Sequence, residues 1–208
     1  MAIANQHNIP VVEDAAQAID SYYKGKPLGS IGTFGTFSFH ETKNIIAGDG
    51  GLLSINDDKY IHRAEIIREK GTNRSSFFRG EVAKYGWVDI GSSFLPSDII
   101  SAYLYAQLEN MDAIQARRKE IWQRYNDKLS VVLANTGIEL PVVADYATNN
   151  AHMFYLVCSS LEQRTALIQH LKDNEVHAVF HYLSLHTSEF YQDKYIGYPL
   201  PNSDYFTD

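Results

Sequence analysis

With 208 residues and 45% apolar content, the chain can build one large or two small cores, and it is neither disordered nor fibrous. A net charge of −7 argues against nonspecific nucleic-acid binding, which needs a basic face to displace counterions. A single cysteine, Cys158, excludes a disulfide framework and fits a reducing cytoplasm. The apolar runs fall far short of the ~20 residues that span a bilayer, and Met1 to Asn8 lacks a basic segment followed by an apolar one. The expectation is a cytoplasmic protein with neither membrane nor nucleic acid as partner.

Met1 to His7 reads as the tail of a helix stopped at Asn8, and Pro10 to Asp14 as a short buried strand ending on acids. Tyr22 to Leu28 suggests a hairpin turning at Lys24-Gly25-Lys26-Pro27. Thr33 to Phe39 and Gly51 to Asn56 follow as strands. Asp57 and Asp58 then precede an amphipathic helix ending near Gly71. Pro96-Ser97-Asp98 opens a second helix whose Ile99, Ile100, Ala102, Tyr103, Ala106 and Leu108 make it apolar nearly all round, which predicts burial. From Asp112 to Ala134 a charged, periodic stretch predicts a long helix connecting two domains, 1–111 and 112–208. Beyond it, Ile138 to Pro141, His152 to Ser159, Glu162 to Asn174 and Val176 to Tyr182 predict a strand, strand, helix, strand order, a small α+β unit.

Two residues carry the chemistry. Asp14 closes the first strand, and Lys43 lies after the strand-like run ending Ser38-Phe39-His40, with a Gly-rich turn beyond it. Open α/β sheets bind ligands at strand ends. A lysine and a carboxylate on one rim are what a pyridoxal phosphate enzyme needs: the amine joins the aldehyde as a Schiff base, and the carboxylate keeps the pyridine nitrogen protonated. Ser38 would give a hydroxyl to the cofactor phosphate and Gln17 would hold the ring or its 3-oxygen. Taken alone, an exposed lysine in a loop is commonplace.

The blocks VVEDAAQA, SFHETKN and GDGG are similar to the signature of the DegT/DnrJ/EryC1/StrS family, sugar aminotransferases of the aspartate aminotransferase fold type I. The longer stretches RAEIIREKGTNRSSFFRGEVAKY, WVDIGSSFL, NAHMFYLV and AVFHYLSLH most resemble the branch that forms dTDP-4-amino-4,6-dideoxygalactose for enterobacterial common antigen. The resemblance implies an α/β fold, a PLP-dependent transferase with an incomplete large domain and an incomplete small α+β domain. It implies Lys43 as Schiff-base lysine, Asp14 as pyridine partner, Gln17 as ring contact and Ser38 as phosphate ligand. It further implies pyridoxal 5′-phosphate as cofactor, nucleotide-sugar and amino-acid substrates, a homodimer in the full-length enzyme, and His181 and Tyr182 near the sugar. Lys43 favours transamination over a sister branch of dehydratases with His at that position. Because family members carry a further N-terminal portion and a closing helix, the chain reads as an internal fragment. The competing expectation is an inactive fragment or interaction module of the same ancestry.

Between His62 and Lys84, six basic residues face three acidic ones. This reads either as a solvated helix or, for Arg74 and Arg79 in a loop, as a site for a nucleotide-sugar pyrophosphate. Gly91-Ser92-Ser93-Phe94-Leu95 stands where relatives carry an Asn reaching the neighbouring subunit's cofactor phosphate; Leu95 cannot donate, and Ser92 or Ser93 would replace that contact weakly. Cys158 within Phe154-Tyr155-Leu156-Val157 reads as a small hydrophobe rather than a nucleophile. His40-Glu41 lacks the second His of a zinc helix, His181 and His186 do not share a strand face, and metal is not expected. Gly29, Gly32 and Gly35 match no nucleotide-binding fingerprint and read as turn and close-packing positions.

Overall fold

The computed structural model describes residues 1–207, and the chain divides into two compact units. The first comprises Met1–Trp122 with Val143–Met153; the second comprises Gln123–Val142 with the residues from Phe154 onward. The sequence reading divides the chain at 111/112, whereas the compact units change inside a helix, at Trp122–Gln123, and residues 143–153 return to the first unit. Residue 208, the last of the expected second domain, lies outside the described residues.

The first unit opens with α1 (Ala2–Gln6) and β1 (Val12–Asp14). The hairpin follows as β2 (Tyr22–Tyr23) and β3 (Lys26–Pro27). Its turn residues Lys24 and Gly25 both have positive φ, 49° and 76°, the two-residue turn whose twist suits a hairpin. β4 (Phe34–Ser38) lies between β1 and β5 (Gly51–Ile55), parallel to the first and antiparallel to the second.

One row across this sheet explains the glycines. Glu13, Gly35 and Ser54 are in register on adjacent strands. Loop 29–32 lies over them: the Glu13 carboxylate accepts the N–H groups of Gly29, Ile31 and Gly32 at 2.8, 2.6 and 2.6 Å. Ser54 Oγ donates to the Gly29 carbonyl at 2.5 Å, as does Asn56 Nδ2 at 3.0 Å. A Cβ at Gly35 would collide with the Gly29 carbonyl oxygen and Cα, so only glycine lets the loop lie this close. Burial by itself would raise the Glu13 pKa, but the three backbone N–H groups outweigh it and hold the carboxyl below its ordinary range.

After β5, Asp57 caps a single 3₁₀ turn, accepting from Lys59 N at 3.2 Å, and the chain continues as α2 (Ile61–Arg68). Next comes α3 (Arg74–Phe78), so Arg74 and Arg79 sit at the two ends of a short helix rather than in the expected loop. Arg74 pairs there with Glu69, and Arg79 with Glu65 and Glu81. Ser97 Oγ accepts from Ile100 N at 3.3 Å and starts α4 (Asp98–Glu109), and α5 (Met111–Val132) follows almost at once. Ile45, at 1% exposure, is the largest fully buried side chain. It forms the core with Phe39 and Ala47, against which Ile100 and Leu104 of α4 and Met111 and Ile114 of α5 pack.

The expectation that α4 is buried on all sides is not met: none of its residues is buried, and Ile99 is 83% exposed. Only the Ile100 and Leu104 side meets the core, and the described residues supply no cover for the other faces.

In the first unit α5 grips the segment after Asn149 residue by residue. Gln115 Nε2 donates to the Asn150 carbonyl at 3.3 Å, Arg118 Nε and Nη2 to those of Ala151 and His152 at 3.2 and 2.7 Å, and Trp122 Nε1 to that of Met153 at 3.1 Å. Positions 115, 118 and 122 share a helix face, as spacings of three and four residues dictate.

The second unit contains the end of α5, then α6 (Leu161–Asp173), capped by Ser160 through Gln163 N at 3.2 Å, and α7 (Pro201–Tyr205). The three strands expected at 138–141, 152–159 and 176–182 are absent among the described residues. A lone bridge pairs Glu139 with Val157. A strand needs a neighbour to take its N–H and C=O groups, and residues such as Val179 (73% exposed) and Tyr182 (85%) have no such neighbour. Tyr125 stacks on Phe154 with ring centroids 5.4 Å apart. Cys158 is half-buried, and burial pushes its thiol pKa up against the weaker opposing pull of Arg164.

Candidate active site at the strand ends

Three of the expected residues lie at one edge of the parallel strand pair. Asp14 is the last residue of β1, in register with Thr36 of β4; Ser38 ends β4 two residues further on; and Lys43 lies in the turn beyond. Thr36 Oγ1 donates to the Glu13 carbonyl at 3.1 Å and fastens the two strand ends together. Asp14 is exposed, its Oδ1 accepting the N–H of Ala16 at 3.2 Å. Ser38 Oγ accepts the N–H of His40 at 3.3 Å.

The Lys43 turn is built from both sides. Its N–H donates to the His40 carbonyl at 2.9 Å, and Ala47 N donates to the Phe39 carbonyl at 2.7 Å, which folds residues 40–47 back onto the end of β4. Burial of Ile45 beneath that fold fixes the turn, with Lys43 half-buried two residues earlier.

A buried amide network then joins this turn to the segment after β1. Asn44, Gln115 and Asn150 are 5%, 3% and 6% exposed, so each polar atom needs a partner. Asn44 Nδ2 donates to Gln115 Oε1 at 2.9 Å and to the Asn150 carbonyl at 2.8 Å. Asn150 Nδ2 donates to the carbonyls of Gln17 and Ile19, both at 2.8 Å. Gln115 Nε2 and Lys119 Nζ reach Asp20 Oδ2 at 3.2 and 2.7 Å. Burial of Asp20 acts to raise its pKa, but Lys119 and Gln115 together bring it below the usual carboxylate value. Gln17 is thereby held through its backbone while its side chain is exposed.

His152 completes the network, its Nδ1 lying 2.7 Å from Asn44 Oδ1. Burial first, then the positive charges of Lys43 and Arg118, push its pKa down. Asn44, Gln115, Asn150 and His152 do not stand out in a sequence reading. The available signal was Gln115 next to Ile114 on the core side of α5, a polar side chain in an apolar stripe.

The remaining expected residues lie elsewhere. Arg79 is exposed and directed at carboxylates: Nη1 and Nη2 each lie 2.9 Å from the two oxygens of Glu65, and Nε lies 2.6 Å from Glu81. The hydrogen bonds with Glu81 and Glu65 raise its pKa. His181 and Tyr182 belong to the second unit, where both are exposed with ring centroids 5.0 Å apart. In the segment 91–95, Ser92 is held by its backbone, its N–H donating to the Ile67 carbonyl at 2.9 Å and its carbonyl accepting Lys70 N at 3.0 Å. Among the described residues no group of three or more His, Cys, Asp or Glu could hold a metal ion.

The sequence profile of the DegT/DnrJ/EryC1/StrS aminotransferase family matches residues 1–208. An uncharacterized protein of Methanocaldococcus jannaschii is 28% identical over 215 residues, which take in 99% of this chain and 54% of that protein. Among solved structures, the aminotransferase TlmJ of Streptoalloteichus hindustanus superposes with a TM-score of 0.81 at 25% identity, over 99% of this chain and 52% of the other. The putative sugar aminotransferase Spr1654 of Streptococcus pneumoniae, in its PLP form, gives 0.78 at 26%, over 98% and 51%. The chain thus spans about half the length of the relatives it matches.

Proposed function

Because this chain belongs to the DegT/DnrJ/EryC1/StrS aminotransferase family and has the fold type I architecture of its structural neighbours, we infer that it acts in a pyridoxal phosphate dependent aminotransferase of nucleotide-linked sugars. The observation that supports this most directly is the gathering of Asp14, Ser38 and Lys43 at one edge of a parallel strand pair. A carboxylate, a hydroxyl and an amine are the donor set such a cofactor requires, so the residues fit the group. When bound, pyridoxal phosphate supplies an electron sink that lets an adjacent carbon lose its proton.

The chain's own groups do the rest. Lys43 Nζ would hold the cofactor covalently and, once released by the incoming amino group, would carry a proton from the substrate carbon to the cofactor C4′, as a flexible amine close to both can. Asp14 holds a proton on the pyridine nitrogen, Ser38 donates its hydroxyl to the phosphate, and Gln17 orients the ring. Arg79 is assigned to the pyrophosphate of the nucleotide sugar, which would take the place of its bidentate pair with Glu65 and its contact with Glu81. His181 and Tyr182 are assigned to the sugar.

L-glutamate is the proposed donor and the 4-keto group of dTDP-4-keto-6-deoxyglucose the acceptor, in cell-surface polysaccharide synthesis (enterobacterial common antigen or O-antigen). A cytoplasmic homodimer is proposed for the whole enzyme. The resemblance of the longer sequence stretches to that branch is what supports this finer assignment. No helix among the described residues is long and apolar enough to cross a membrane.

The test is covalent. Purified protein mixed with pyridoxal phosphate and reduced with borohydride is expected to gain one label on the peptide containing Lys43, and Lys43→Ala to gain none there. Equal labelling of the two, or none in the parent, would remove the enzymatic reading and favour an inactive chain or interaction module.

A further inference from the structure

His152 has no part in the chemistry just described, yet it closes the network beside the lysine. Both protons of Asn44 Nδ2 are committed, to Gln115 and to the Asn150 carbonyl. Asn44 Oδ1 must therefore be an acceptor, and the 2.7 Å contact obliges His152 to carry its proton on Nδ1. The segment holding His152 is itself fixed, because Arg118 donates to the carbonyls of Ala151 and His152. Burial first, then the positive charges of Lys43 and Arg118, lower the pKa of the ring, which favours the neutral imidazole that this contact uses.

We propose that His152 is a positioning residue for Lys43, acting through Asn44: its Nδ1–H fixes the Asn44 amide, and the fixed amide sets the peptide from which the neighbouring Lys43 side chain projects. The proposal rests on the reading of Lys43 as the cofactor-binding lysine for its purpose, but not for its geometry. Without the Nδ1–H donor, Asn44 Oδ1 is left buried and unpaired, a state costly enough for the amide to rotate or the turn to shift. Either movement reorients the peptide between Lys43 and Asn44 and displaces the amine.

The experiment compares the full-chain protein with His152→Ala and His152→Asn. An Asn side chain places an N–H donor where the imidazole Nδ1 stood, so it restores the bond to Asn44 without the ring. Two readouts are taken: the rate at which an acylating reagent labels Lys43 in the cofactor-free protein, by peptide mass spectrometry, and the Kd for added pyridoxal phosphate. His152→Ala is expected to change the Lys43 labelling rate at least threefold and to weaken cofactor binding about tenfold, the equivalent of one lost interaction of about 1.4 kcal/mol. His152→Asn is expected to recover both to within about twofold. Unchanged labelling in His152→Ala overturns the proposal, and so does a His152→Asn variant that behaves like the alanine one. If no variant, including the parent, binds pyridoxal phosphate, the cofactor reading of Lys43 fails, and the labelling rates alone decide the role of His152.

Discussion

At the scale of single residues, the molecule depends on polar side chains that close backbone accounts. Glu13 serves three N–H groups of loop 29–32 at once. Glu13→Gln keeps an acceptor but loses the charge and one oxygen, so a loss of about 1.5–3 kcal/mol is expected in urea unfolding at neutral pH. The pH dependence has a definite sign. The folded-state pKa is depressed, so the parent's advantage is present above the ordinary carboxylate value, about 4.3, and disappears as pH falls through the folded one. Unfolding curves that keep the same separation down to the most acidic pH would contradict this. Such residues were only half legible in the sequence. Lys43 and Asp14 announce themselves through type and position relative to strands, whereas the roles of Asn44, Asn150 and His152 exist only once segments more than a hundred residues apart meet.

At the scale of elements, local signals were read well and distant ones poorly. Ser97 and Asp57 each cap the helix or turn they precede, and the Lys24-Gly25 turn follows from residue type. A cap or a turn needs only its neighbours. The missing strands of the second unit and the exposed α4 are failures of another kind: apolar alternation tells which face seeks cover and not whether cover is present. The β4 strand shows how tightly a non-local demand can bind one position. Gly35→Ala would drive a methyl group into the Gly29 carbonyl and to within 2.6 Å of Ser54 Oγ. A destabilisation of about 1–3 kcal/mol or more is expected, measured as a lower urea midpoint, with loop 29–32 losing its protection from proteolysis. Gly25→Ala serves as the comparison: Gly25, unlike Gly35, has a positive φ, but a methyl group there meets nothing within 4 Å, so it should cost only about 1 kcal/mol.

At the scale of the whole molecule, surface is the telling quantity. The accessible area is 15280 Å², against about 9,800 Å² for a folded monomer of this mass. Large apolar side chains account for much of what is uncovered, among them Trp87 and Ile90, both 85% exposed, and Ile196, 98% exposed. Patches of this kind mark surfaces meant to be covered. The 208-residue chain prepared alone is therefore expected to bind an apolar dye strongly and to associate as its concentration rises, as read by light scattering. Ile90→Lys with Ile99→Lys is expected to reduce both signals. A monodisperse, dye-silent chain would show that these faces tolerate water.

The grip of α5 on residues 150–153 has a consequence for how the chain can vary in length. Gln115, Arg118 and Trp122 meet main-chain carbonyls, which every residue type provides, so the helix fixes the position of that segment without dictating most of its side chains. Additions or deletions can be absorbed between Pro141 and Asp145, because registration is fixed again from Tyr146 onward, where Tyr146 and Thr148 bond to Lys24 and Tyr22. A single residue gained or lost after Asn150 has no such refuge: it would put a different side chain opposite Asn44, and the lysine turn would lose its partner while every backbone bond remained available.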